Sequence, residues 1–243
     1  MDPFVYVNFV FQTIFCASTL TAAIMMLKRN PRALVNRLFF LAYVCYSTVG
    51  LSIWIYNTFP FDDLIQSFVR ITLGVSPFAV SFLFLGTREV FQPTAEDIKK
   101  ILTIFMVIST ALAIITVLWP NLVVTIDYDP VNNEIEPLPF LIILSWQIIL
   151  VVRVIIIVAR LYRIALKRLE AESKAEGKKP VVIVKMKYVI IGHVFGLLGI
   201  FTVIVGNQFG SPFGDTGFYI LTTIDFVLTA YAVLKQEKVL KKP

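Results

Sequence analysis

Histidine occurs once in this chain and cysteine twice, and only 16% of the 243 residues are charged. Each scarcity removes a class of function. A zinc site draws three or four ligands from His, Cys, Asp and Glu. His193, Cys16 and Cys45 cannot supply a three-histidine set, and both cysteines lie inside apolar runs. That placement also argues against an extracellular disulfide, so the cysteines read as small buried hydrophobes. No GxSxG, HExxH or GxxxxGK[ST] motif occurs, which leaves nucleophile-elbow, zincin and P-loop chemistry without a foothold. The expectation is therefore no enzyme, no catalytic residue, no metal ligand and no cofactor. A basic segment ahead of the first apolar run is lacking too (MDPFVYVNF), so that run reads as a retained helix rather than a cleaved signal peptide.

Apolar residues are abundant. They make up 58% of the chain, with a mean hydropathy of +0.81. A soluble domain is nearer about 45–50% apolar and about 25% charged, and a small soluble fold leaves too much surface exposed to hide this excess. Seven runs are long enough to cross a bilayer, at residues 4–27, 38–59, 64–85, 101–119, 138–159, 188–207 and 218–234. They are longer than barrel strands and do not alternate in polarity. The expected architecture is all-α: one polytopic domain, residues 1–243, forming a seven-helix transmembrane bundle.

Charge placement gives the orientation. Twenty of the 22 basic residues fall between the first and second, third and fourth, and fifth and sixth runs, or in the tail; the other two, Arg70 and Arg153, are inside runs. The opposite loops carry Asp62, Asp63, Asp127, Asp129, Glu134, Glu136 and Asp215. Lys/Arg excess marks the cytoplasmic side, so the N-terminus is expected outside, the C-terminus in the cytoplasm, and the protein in the plasma membrane. The net charge of +6 then serves topology, and nucleic acid is not an expected partner. The fifth helix should continue into the cytoplasm through RLYRIALKRLEAESKAEG until Gly177 and Pro180 stop it; a solvated basic linker is the other reading of that stretch. Segment 120–137 is the one sizeable external loop and is too short for a domain. Pro77, after Gly74, is the best internal helix break.

Ionisable residues within spans cost about 2.5–3.5 kcal/mol on insertion scales, so each marks a candidate site. Arg70 and Asp225 both lie roughly 10 Å below the outer ends of the third and seventh runs at 1.5 Å per residue. Opposite charges at matched depth can pair. Asn8 and Gln12 in the first run reach a similar depth, and Trp146 and Gln147 in the fifth lie slightly deeper. Two readings stay open. These six residues line an outward-facing ligand-binding pocket, or Arg70–Asp225 is a structural pair and the amides are packing hydrogen bonds. Arg153 reads as a snorkelling residue. His193 reads first as a packed or hydrogen-bonded residue and second as a proton sensor.

In the seventh run Asp225 is followed four residues later by Thr229. Microbial rhodopsins place their retinal lysine at that spacing, so comparison with them excludes a covalent Schiff base. The run also lacks the NPxxY of G-protein-coupled receptors. Three stretches carry a closer resemblance: Asn36–Trp54 (NRLFFLAYVCYSTVGLSIW), Lys187–Asn207 (KYVIIGHVFGLLGIFTVIVGN) and Thr229–Val239 (TAYAVLKQEKV). Together they resemble the seven-transmembrane N-terminal sensor region of microbial histidine kinases. That family's usual cytoplasmic output domain has no counterpart in these 243 residues, so the resemblance implies a stand-alone relative or a receptor portion. It further implies a receptor-like sensor that binds a small or lipidic ligand and signals through the cytoplasmic ends of helices 5–7. Expected partners are membrane lipids, that ligand, a cytoplasmic signalling partner and a second copy in a homodimer. The alternatives are a small transporter or channel, or a membrane scaffold subunit.

Overall fold

The computed structural model describes residues 3–59, 61–91, 97–125, 134–172, 181–209 and 213–234. Within them are seven helices: α1 Pro3–Arg29, α2 Leu34–Thr58, α3 Asp62–Phe91, α4 Asp97–Leu118, α5 Pro137–Glu172, α6 Val181–Phe209 and α7 Phe213–Leu234. All seven are long and apolar enough to span a bilayer. Helices are the solution that lipid enforces on an open chain, because each satisfies its own backbone polar groups. The all-α seven-helix bundle expected from the sequence is present.

The helices overrun the apolar runs. α6 starts at Val181, a turn and a half to two turns before the apolar run, and carries Lys185 and Lys187 in its first turns. α7 starts at Phe213 rather than near Phe218. Hydropathy marks where hydrocarbon begins, whereas the helical hydrogen-bond ladder continues into the headgroup region until the backbone is broken. α5 extends past its apolar stretch to Glu172 as expected; Gly177, expected to end it, lies outside the described residues. α3 runs unbroken through Pro77, contrary to a break there. Proline removes the N–H that would bond the carbonyl one turn back, and the Ser76 hydroxyl donates to that carbonyl, Leu73 O, at 3.2 Å.

Six helices close a ring in which α1 packs on α2, α2 on α3, α3 on α5, α5 on α6, α6 on α7 and α7 back on α1. α4 lies outside the ring, chiefly against α3. Burial reflects this: 56% of the membrane-length window of α3 is buried, against 17% for α4. The apolar side chains left exposed on α4, Val107, Ile114 and Val117 among them, face where lipid would be. Inside the ring, Phe226 of α7 meets Phe15 of α1 and Tyr43 and Tyr46 of α2 at ring-centroid distances of 5.6, 5.5 and 4.4 Å. Cys16 and Cys45 are free thiols and half-buried rather than the fully buried residues expected.

Part of segment 120–137 is a short antiparallel ladder of β1 (Val123–Thr125) and β2 (Glu134–Ile135). The sequence reading placed no strands there. Asn121 turns the chain into it with φ 50°, a conformation that asparagine tolerates better than most residues. Leu122 and Val123 are buried against Ile65, Val69 and Leu73 of α3, and Gln66 Nε2 donates to Val123 O at 3.0 Å. The ladder is thus seated on the end of α3.

Candidate functional site

Asp225 and Thr229 are one turn apart on α7 and present their oxygens to α6. His193 of α6 meets them there. Its Nδ1 lies 2.9 Å from Asp225 Oδ1 and 3.4 Å from Thr229 Oγ1, and Thr229 Oγ1 donates to Asp225 Oδ1 at 3.1 Å. His193 and Thr229 are fully buried and Asp225 is 5% exposed. His193 and Asp225 each lie twelve residues from the start of their helix, roughly 18 Å at 1.5 Å per residue. The cluster therefore sits near the middle of both helices.

Two glycines make the close approach possible. A Cβ on Gly192 would fall 2.9 Å from Asp225 Oδ1, and one on Gly196 would overlap Oδ2. They sit at i and i+4 on the same face of α6, the small-xxx-small spacing that brings membrane helices together. Gly199 continues the seam one turn on, with Thr222 Cγ2 at 3.2 Å from where its Cβ would be. Around the pair, Tyr43 and Tyr46 of α2 pack on Phe226, the residue next to Asp225, and Tyr43 Oη donates to Phe226 O at 3.4 Å.

Proton positions follow from donor counting. Thr229 has one hydroxyl hydrogen, directed at Oδ1. With the carboxylate ionised, the hydrogen between Oδ1 and the ring must therefore belong to His193 Nδ1. The other ring nitrogen, Nε2, is buried and has no hydrogen-bond partner among the described residues. In the neutral imidazole it is a bare acceptor, and it is where an added proton would go.

The expected Arg70–Asp225 pair is not formed. Arg70 donates from Nη1 to Val117 O at 2.6 Å and from Nη2 to Trp119 O at 3.1 Å. It holds one carbonyl in the last turn of α4 and one just past its end, where a helix C-terminus leaves such groups unsatisfied. The matched depths came from apolar run ends. Counted from the observed helix starts, Arg70 is eight residues into α3 and Asp225 twelve into α7, roughly 12 and 18 Å deep. Three of the other four candidates divide between two places. Asn8 Oδ1 accepts from Thr216 Oγ1 at 3.2 Å and Gln12 Nε2 donates to Tyr219 Oη at 3.2 Å, a polar seam between α1 and α7. Trp146 Nε1 donates to Ser81 Oγ at 3.3 Å, and Ser81 bonds Ser109 at 3.0 Å, joining α5, α3 and α4. Gln147 is half-buried and joins neither cluster, and Arg153 is exposed, as a snorkelling side chain would be. The six residues therefore do not converge on one pocket. What the sequence reading missed was the partner of His193. Its signal was the pair of glycines flanking the histidine and the Asp–Thr pair one turn apart on the last helix.

No family model, curated protein or solved structure matches this chain.

Proposed function

We propose that this multi-pass membrane protein is a receptor-like sensor whose stimulus is read by the protonation state of the His193–Asp225 pair. The observation that carries the reading is a bonded, buried histidine–carboxylate pair at a glycine-cradled helix seam, with Nε2 left without a partner among the described residues. Intramembrane ionisable groups are costly and are retained where they do work. Histidine is the side chain whose charge changes near physiological pH.

The geometry gives the proton a mechanical consequence. Protonation at Nε2 changes the net charge of the pair by one and creates a buried N–H without an acceptor. An unsatisfied buried donor costs about 1–3 kcal/mol, more when charged. A rearrangement of α6 against α7 that supplies an acceptor or water would relieve that cost. A stimulus shifts a two-state protein only through differential stability of the states, and each factor of ten in population needs about 1.4 kcal/mol, so this cost is large enough to matter. With the N-terminus outside, movement of α6 and α7 would reach their cytoplasmic ends, beside the extension of α5 to Glu172. The resemblance to histidine-kinase sensor regions supports the same direction of signalling, to a cytoplasmic partner.

The test is a distance measurement between spin labels on the basic ends of α6 and α7, in reconstituted vesicles, from about pH 5 to pH 8, where histidines titrate. The wild type should show two populations that exchange with pH, and His193→Gln should show one. A His193→Gln variant that keeps the wild-type response would overturn the proposal. Proton flux through the same vesicles, abolished in His193→Gln, would favour a transporter instead.

A further inference from the structure

Outside the ring, α1 and α7 leave between them an elongated groove of about 710 Å³. Its floor is made of small side chains, with Ala22 and Ala230 both buried. Its rims are large and exposed: Ile14 and Met25 on α1, Val227 and Tyr231 on α7. Both helices run in the same direction across the bundle, so the groove has a definite start and end. It begins level with Ile14 and Phe226 and ends level with Met25 and Leu234. From Ile14 to Met25 is roughly 16 Å at 1.5 Å per residue. That is about half of the ~30 Å hydrocarbon thickness of a bilayer, the depth of one leaflet.

The end of the groove is basic. Lys28 and Arg29 close α1 one turn beyond Met25, and Arg32 follows. No acidic residue occurs between Asp2 and Asp62, and in sequence Leu234 is followed by Lys235 and Lys238 with one acid, Glu237, between them. Arg29 donates to Val233 O of α7, which ties the two helices together at this end. Lys28 is exposed beside it. We propose that this groove holds an acyl chain of an anionic phospholipid whose headgroup is bound by Lys28. Length and charge both favour lipid over a helix from a second copy. A helix would cross both leaflets, whereas the groove stops half-way. An acyl chain that ends near the midplane, with its phosphate at the basic end, matches both limits.

The experiment uses the full chain in detergent micelles, with phosphatidylglycerol or phosphatidylcholine of the same acyl composition added. Retained lipid is counted by native mass spectrometry and thermal stabilisation is measured in parallel. Wild type should retain phosphatidylglycerol preferentially and be stabilised by it more than by phosphatidylcholine. Lys28→Gln should reduce that preference about fivefold, the effect of one basic residue near a lipid phosphate. Lys99→Gln, a basic residue on another helix, should leave it unchanged. Ala17→Trp, which adds bulk to the exposed groove wall, should abolish retention of either lipid. Equal retention of the two lipids by wild type, or wild-type retention by Ala17→Trp, would overturn the proposal. So would a photo-crosslinking residue in place of Ile14 that captures a second copy rather than lipid. Should Ala17→Trp fail to fold, the surface variant Lys28→Gln decides alone.

Discussion

Whether a buried charge is tolerated depends on what touches it, and Asp225 is held by three groups of different kinds: a ring nitrogen, a hydroxyl and two absent side chains. The glycines give the sharpest test. A methyl at Gly196 collides with the carboxylate, and one at Gly192 crowds it, so each Ala variant should lose about 1–3 kcal/mol, the usual cost of overpacking. Gly74 is the control. A Cβ there would sit 3.9 Å from Ala113, an ordinary contact, so Gly74→Ala should be neutral or gain about 0.5–1 kcal/mol as glycine leaves a helix interior. Thermal melts of the three variants would check the order. The pair itself should be non-additive. Removing one member, by His193→Leu or Asp225→Asn, disrupts a buried ionisable pair, at a cost of up to about 3–5 kcal/mol if the carboxylate is left charged and unpaired, and the double variant should cost less than the two singles together. Purely additive losses would mean that the 2.9 Å contact carries no coupling. At this scale the sequence was only half legible. It showed which residues were too polar for their surroundings, His193, Asp225 and Arg70 among them. Spacing along a chain gives depth but not the direction a side chain faces around its helix, so it mispaired Arg70 with Asp225.

For the helices, the logic of lipid made existence and type readable: five of the seven expected spans fall within an observed helix, and the other two, 38–59 and 101–119, overrun α2 and α4 by one residue. The ends were less readable, because a charged turn can continue a helix beyond hydrocarbon, as at Val181 and Phe213. α4 illustrates how an element can be secured by few contacts. It leans on α3 through the Ser81–Ser109 bond and through the two hydrogen bonds from Arg70 to carbonyls at its end. Hydrogen bonds to a charged donor contribute about 1.5–3 kcal/mol. Arg70→Met should therefore loosen the end of α4 and the β1–β2 ladder beside it, seen as faster amide exchange in residues 115–125, while exchange in α6 and α7 stays unchanged. Arg70→Met and Asp225→Asn should also be additive to within about 0.5 kcal/mol, as expected for separate sites. Coupling between them would revive the abandoned ion pair.

For the whole molecule, charge asymmetry was the most legible feature, since twenty basic residues share one side of seven spans. Single cysteines in a background lacking Cys16 and Cys45 should therefore label from opposite faces: Asp129→Cys from outside and Lys174→Cys from the cytoplasm. Labelling from the same face would overturn the topology. What charge could not show was the order of helices around the ring. That order has a consequence for synthesis. The ring is closed by α1 against α7, so it cannot close until α7 has left the ribosome. Until then Asn8 and Gln12 lack Thr216 and Tyr219, Arg29 lacks the Val233 carbonyl, and His193 lacks Asp225. A nascent chain halted before α7 would present all of these groups to the membrane at once. Completion of that one helix would give all of them their partners together.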